Sequence, residues 1–426
     1  MPKNNYKRWQ LNIIKKSLKS RRVLILAGPR QCGKTTLAKQ LTSPNTIYRT
    51  LDDVTLLAAA QNDPSGFVAH DKGLMIIDEI QRAPILLQAV KQSVDVNQKS
   101  GRFLLTGSAN IQSLPGVTES LAGRVRKIRL RPLAHGEILG NKSDFLKLAF
   151  SEKFKISAGK KSKNKDDYIK MALKGGYPEA LRAKEKDAQR WHKDYLDALI
   201  ERDLQDILNI KRHDSMHKLL EILAAWSSKF MDISAIGSDL ALARQTVESY
   251  INAIEALYLV ERVRPWSKTD YDRVSKQDKL FMTDSGLMSS ILHWKFDQVR
   301  LDGEKNGKLI ETFIFTQLAA AIDSSEEDYQ LYHYRDREKR EIDFIVENED
   351  GNILGIEVKA GSAVNQDSFK HLKWFKENVV KKQKIQNKNS EKKFIGIVFY
   401  SGESVVSFGD GMWALPIEVV FGGSEL

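Results

Sequence analysis

The 426-residue sequence predicts an α/β multidomain chain: a parallel α/β unit, a helical middle region, and a second α/β unit at the C-terminal end. Three observations carry this. Over the first 135 residues short apolar runs alternate with helical patterns, as a parallel sheet with crossover helices requires. Residues Met216–Pro265 carry three short amphipathic stretches separated by turns. Residues 300–426 carry one long helical pattern followed by five apolar strands.

Element by element, the expected strands of the first unit are Val23–Ala27, Thr46–Leu51, Leu74–Asp78, Arg102–Thr106 and Arg126–Leu130. Asn141–Lys165 holds eight lysines with little periodicity and reads as an exposed insertion or linker. Asp166–Lys211 reads as helical, interrupted by the turn Gly175-Gly176-Tyr177-Pro178. In the middle region, Leu219–Trp226, Ile233–Leu240 and Thr246–Tyr258 form a helix-turn-helix pattern, and Leu259–Val263 starts a wing-like strand. The C-terminal unit expects a helix over Lys308–Ala321 and strands Gln330–Tyr334, Ile342–Glu347, Ile353–Lys359, Phe394–Tyr400 and Met412–Pro416. The expected domain boundaries are 1–138, 139–214, 215–266 and 267–426.

Hydrophobic content of 42% and charged content of 29% are those of a soluble globular chain. No apolar run approaches the roughly 18 residues of a bilayer span, and the first residues lack a signal-peptide core. A single cysteine, Cys32, excludes an intrachain disulfide and points to a reducing, cytoplasmic setting. The net charge of +12 is uneven: residues 1–140 hold 22 Lys/Arg and 9 Asp/Glu, and the remainder is nearly balanced. That positive field is compatible with nucleic acid, and equally with offsetting a bound triphosphate.

The strongest local signal is Gly28-Pro29-Arg30-Gln31-Cys32-Gly33-Lys34-Thr35, a G-x-x-x-x-G-K-T phosphate loop between the strand Val23–Ala27 and a helix opening at Thr36. It predicts a P-loop NTPase sheet. The glycines let backbone N–H groups wrap phosphates, Lys34 reaches the β- and γ-phosphates, and Thr35 offers a hydroxyl to Mg²⁺. Leu74–Glu79 is an apolar strand ending in two acids. Asp78 takes the Walker B role toward Mg²⁺ through a water, and Glu79 orients the attacking water. Thr106 and Ser108, at the end of the next strand, are candidates for sensing the γ-phosphate. Arg124 is the first candidate for a transition-state arginine, in cis or from a neighbouring subunit, with Arg126 and Arg131 competing. The expected cofactors are ATP and Mg²⁺.

The candidate recognition helix exposes Arg244, Gln245, Thr246, Glu248, Ser249 and Asn252, a polar but barely basic set. Arg262, Arg264, Lys268, Arg273 and Lys276 keep DNA in play as a partner. A winged helix serving as a protein–protein spacer is the equal alternative.

The phosphate loop, Ile76-Ile77-Asp78-Glu79-Ile80-Gln81, Leu105-Thr106-Gly107-Ser108 and Ser120-Leu121-Ala122-Gly123-Arg124 together resemble a family of prokaryotic AAA+-type ATPases with a C-terminal domain of unknown function. Gly175-Gly176-Tyr177-Pro178-Glu179, Glu201-Arg202-Asp203-Leu204 and Ser238–Val260 are similar to that family's middle region. The resemblance implies a winged-helix module and a C-terminal fold related to PD-(D/E)XK nucleases. Residue spacing agrees with the latter: Glu341 and Asp343 share a strand face, as do Glu357 and Lys359. Asp343 and Glu357 with the helical Glu311 would hold a hard divalent cation, and Lys359 would position the nucleophile. Such folds also persist as binding scaffolds, so two readings follow. One is an ATPase coupled to DNA binding or metal-dependent cleavage, with ATP-dependent self-assembly. The other is an ATP-dependent switch or platform with an inactive nuclease fold.

Overall fold

The computed structural model describes residues 6–71, 73–108, 123–154, 163–204, 213–267, 277–381 and 392–423. The first sheet has five strands: β1 (Val23–Ala27), β2 (Ile47–Thr50), β3 (Met75–Asp78), β4 (Phe103–Gly107) and β5 (Val125–Arg129). All pairings are parallel, in the order β2-β3-β4-β1-β5. Strands β1, β3 and β4 are buried along their whole length, which is why they read as unbroken apolar runs. Interior β1, flanked by the central β4 and the edge strand β5, delivers the phosphate loop at its C-terminal end, where ligands bind in open α/β sheets.

The second sheet is larger than expected. Its strands are β6 (Lys229–Phe230), β7 (Val260–Pro265), β8 (Lys279–Met282), β9 (Tyr329–Arg335), β10 (Glu341–Asn348), β11 (Ile353–Lys359), β12 (Phe394–Tyr400), β13 (Val406–Ser407) and β14 (Met412–Pro416). They run in the order β13-β14-β12-β11-β10-β9-β7-β8-β6. The wing-like strand expected after Leu259 is therefore interior: β7 pairs antiparallel with β8 and parallel with β9. Val260, Val263 and Pro265 are buried on it, so burial drives it into the sheet. The helix Ile233–Leu240 forms as expected, capped by Asp232, and the next runs Arg244–Ala256, starting and ending two residues before the expected Thr246–Tyr258. Lys268, Arg273 and Lys276 lie outside the described residues.

The exposed linker expected over Asn141–Lys165 is corrected in part. Phe145–Ser151 is a helix with Phe145, Leu146 and Ala149 buried, and the Phe145 ring lies 5.6 Å from that of Phe399 on β12. Residues 155–162 of that stretch lie outside the described residues. The long helix Gly303–Asp323 buries Leu309, Ile310, Phe313, Ile314, Phe315 and Leu318 among others. One hydrophobic cluster runs from Val23 and Phe103 of the first sheet through Leu280 and Phe315 to Phe344 and Phe421.

Ion pairs tie the two sheets at the end of β5. The buried Arg131 donates to Glu261 of β7 at 2.7 Å and to Asp323 at 2.6 Å, and Arg129 reaches Glu261 at 2.8 Å. Burial opposes ionisation of Glu261, but Arg129 and Arg131 overcome it and hold its carboxyl down at about 2.

Candidate functional site

A cleft of ≈ 420 Å³ opens over the phosphate loop, lined by Arg30, Gln31, Cys32, Gly33, Lys34, Thr35 and Thr36, and across from them by Glu79, Pro178, Glu179 and Arg182. The loop's shape follows from its glycines. A Cβ on Gly28 would stand 2.1 Å from the Leu130 carbonyl oxygen, and Gly33 has φ +101°. Gln31 also takes a left-handed turn, at φ 59°.

Two lining residues, Thr35 and Glu79, meet the buried Asp78 and Thr106, which are not themselves part of the lining. Thr35 Oγ1 donates to Asp78 Oδ2 at 2.8 Å. Tyr48 donates to the same oxygen at 2.8 Å, and Thr106 Oγ1 donates to Asp78 Oδ1. Burial and the nearby Asp78 together raise the Tyr48 phenol well above its ordinary value, so it stays a donor. Asp78 is thus a buried carboxylate held by three hydroxyls. Beside it, Glu79 sits in left-handed backbone (φ 60°, ψ 46°), a conformation a non-glycine residue holds only when its surroundings impose it. Its N–H donates to Thr106 Oγ1 at 3.3 Å, and its Oε2 accepts from Gln81 Nε2. Lys34 Nζ donates to the carbonyls of Gly28 and Pro29, at 3.0 and 2.8 Å. The donor set of Thr35 and Asp78, a hydroxyl and a carboxylate within hydrogen-bond distance, fits a hard Mg²⁺ ion.

Ser108 is buried at the end of β4 and does not contribute to the cleft lining. Arg124 is turned to Asp95 of the helix Leu86–Val96, with Nε 2.5 Å from Oδ1, and is likewise outside the lining. Its competitor Arg131 is engaged by Glu261 and Asp323.

Several functional residues were not foreseen. Arg8 donates to the Cys32 carbonyl of the loop at 2.8 Å, to the Arg131 carbonyl at 2.7 Å and to Glu137 at 2.9 Å. Tyr195 donates to the Arg30 carbonyl at 3.3 Å and pairs with Tyr177. The turn at Gly175–Pro178 was legible, but not its role. Gly176 N–H donates to the buried Asp284 at 2.7 Å, which anchors the turn and brings Glu179 and Arg182 to the cleft. Burial pushes the Asp284 carboxyl up to about 6 although three backbone N–H groups favour its charge.

The second constellation assembles around β10 and β11. Their antiparallel register, Phe344 opposite Ile356, carries on to put Asp343 across from Glu357. The β9–β10 pairing shifts between Ile342 and Ile345, a bulge that re-aims Asp343. Asp343 Oδ2 accepts from the Val358 N–H at 2.8 Å, and Lys359 Nζ lies 3.3 Å from Glu357 Oε2. Glu311 reaches the group from the helix Gly303–Asp323. A lysine that no local pattern marks stands among the acids expected to hold a metal, Glu311, Asp343 and Glu357. Lys279 of β8, 1% exposed, places Nζ 2.6 Å from Glu311, 2.9 Å from Glu341 and 3.6 Å from Asp343. Burial disfavours its charge, but these three acids outweigh burial and raise the ammonium above an ordinary lysine. Burial, with Asp343 adding to it, raises the Glu357 carboxyl well above the usual carboxylate range. Among the described residues no three Asp, Glu, His or Cys side chains converge as metal ligands. The residues present do not fit a divalent ion.

Residues 20–139 match the AAA domain family, residues 165–298 a domain of unknown function (DUF8612) and residues 306–420 another (DUF4143). Uncharacterized proteins of Mycobacterium bovis and Mycobacterium tuberculosis are 28% identical over 355 residues, covering 82% of this chain and 73% of each relative. Among solved structures, AMPPCP-bound DnaA from Aquifex aeolicus is 16% identical, covering 57% of this chain and 86% of its own, at a TM-score of 0.28. The Thermotoga maritima RuvB Holliday junction branch migration motor is 18% identical, covering 60% and 89%, at 0.27. No described helix is long and apolar enough to cross a membrane. Along the chain, a stretch similar to the AAA domain family is thus followed by two stretches similar to domains of unknown function.

Proposed function

We propose that the chain is a Mg²⁺-dependent ATP hydrolase whose nucleotide state is transmitted to its C-terminal sheet. The observation that carries this is the Thr35–Asp78 hydrogen bond of 2.8 Å at the mouth of the phosphate loop, with Glu79 next to it. Thr35 and Asp78 would hold Mg²⁺, which neutralises phosphate charge when bound. Lys34 exchanges its loop carbonyls for phosphate oxygens. Glu79 accepts a hydrogen bond from the attacking water and draws off its proton, with Gln81 holding the carboxylate in place. The loop carbonyls of Arg30 and Cys32 are gripped by Tyr195 and Arg8, and Arg8 also grips Arg131, which binds Glu261 and Asp323. That contiguous set is a spatial route from nucleotide to C-terminal sheet.

Of the two readings of the remainder, the switch or platform is favoured. Lys279 fills the acidic cluster, and Arg262 is tied to Glu255 at 2.8 Å rather than open to phosphate. The second reading by support, the ATPase coupled to DNA, draws on the excess of basic residues over 1–140 and on the exposed Arg244 and Arg264. The test is phosphate release from ATP with and without Mg²⁺ and with and without single- and double-stranded DNA. Turnover should require Mg²⁺ and collapse in Lys34→Ala; normal turnover in Lys34→Ala would refute the assignment. Strongly salt-dependent DNA binding would favour the second reading.

A further inference from the structure

A lysine is almost never fully buried unless paired, and Lys279 is paired with three acids at once. Those acids come from two separate elements, the helix Gly303–Asp323 and β10, while Lys279 comes from β8. The rings of Phe230 and Phe281 lie 5.7 and 5.8 Å from its Nζ, closing the seat with apolar and π surface. Glu357 faces the same group from β11. It is 6% exposed, its Oε2 lies 3.3 Å from Lys359 Nζ, and its buried Oε1 has no hydrogen-bond partner among the described residues. A divalent ion bound to the oxygens of Glu311 and Asp343 would stand within a few ångströms of Nζ, two positive centres in a site largely closed to water.

We propose that Lys279 is a tethered cation in the seat a divalent metal would take, so that the Glu311, Glu341, Asp343 and Glu357 cluster holds no Mg²⁺ or Mn²⁺ while β8 is in place, and that removing the Lys279 ammonium opens a divalent-cation site. The chemistry of that site is hard oxygen donors, which select Mg²⁺ or Mn²⁺ over softer metals. The strand that carries Lys279 pairs with β7, the strand whose Glu261 binds Arg131 near the phosphate loop, so the plug belongs to the layer that touches the nucleotide domain.

Mn²⁺ alone is the probe, titrated into the nucleotide-free full chain and followed by the electron paramagnetic resonance signal of free Mn²⁺. Wild type and Asp343→Asn should give the same isotherm. Lys279→Met should gain one equivalent, bound about tenfold or more tightly than any Mn²⁺ on the wild type, and lose it in Lys279→Met/Asp343→Asn. A wild-type equivalent that disappears in Asp343→Asn would overturn the proposal, as would a cooperatively melting Lys279→Met that gains none. Should Lys279→Met fail to fold, the wild-type and Asp343→Asn isotherms still decide: identity supports the plug, and a lost equivalent refutes it. The measurement contains no nucleotide, so its outcome is separate from that of the ATP assay.

Discussion

The guanidinium of Arg8 donates to Glu137 Oε1 at 2.9 Å, with both side chains nearly fully buried, and the same guanidinium holds the Cys32 carbonyl of the phosphate loop. The segment that leads into the helix Gln10–Leu18 is thereby clamped to the phosphate loop. Arg8→Ala leaves Glu137 charged and buried with only the Trp9 and Ala134 N–H groups to serve it. Loss of one partner of such a pair costs about 3–5 kcal/mol. The expected outcome is a lower denaturant midpoint in chemical unfolding, together with weaker ATP binding at temperatures where the variant is still folded.

Glu261 ties β7 to Arg129 and Arg131, and its folded-state value of about 2 lies below the ordinary 4.5. A depressed carboxyl contributes stability that is fully present above its unfolded value and is lost as pH falls through its folded value. Wild type should therefore exceed Glu261→Gln in stability most at pH 7, with the gap shrinking between about pH 4.5 and 2. Urea unfolding of both proteins across that range checks it; a gap that widens on acidification would contradict the pairing.

Arg124 lies outside the cleft of its own chain, paired with Asp95. An arginine acting on a neighbour's nucleotide accounts for that position. Arg124→Ala should be inactive alone, as should Lys34→Ala. A mixture of the two should regain turnover, because one supplies the intact loop and the other the intact arginine. Titrating one variant into the other at fixed total concentration is the measurement, and a mixture no better than its parts argues against action in trans.

Much of this arrangement was legible in the chain before its fold was known, for reasons that are local. Strands β1, β3 and β4 are buried on both faces, so each is a short unbroken apolar run, and β11, β12 and β14 were found to the residue. Thr35, Asp78, Glu79 and Thr106 stand out locally because each sits in a loop or at a strand end, and hydrogen bonds join all four in the fold. What escaped depends on contacts far apart in sequence. Arg8 reaches Glu137 across 129 positions. Lys279 is one charged residue at the edge of the apolar run Leu280-Phe281-Met282. Nothing local distinguishes it from a solvated strand end until the acids of a helix and another strand close around it. The place of the wing-like strand is non-local for the same reason: Val260–Pro265 carries three polar side chains among its six residues, and only its pairing with β9 makes it interior.

ATP hydrolysis over the phosphate loop, with Glu79 taking the proton of the attacking water, makes Glu79→Gln the decisive variant. The substitution keeps the size of the side chain and removes its capacity to take a proton, worth about 10²-fold or more in rate. Equilibrium ATP binding and single-turnover hydrolysis should be measured on the same preparation. The expected result is ATP bound as tightly as by wild type with hydrolysis lost; wild-type hydrolysis by Glu79→Gln would contradict the account.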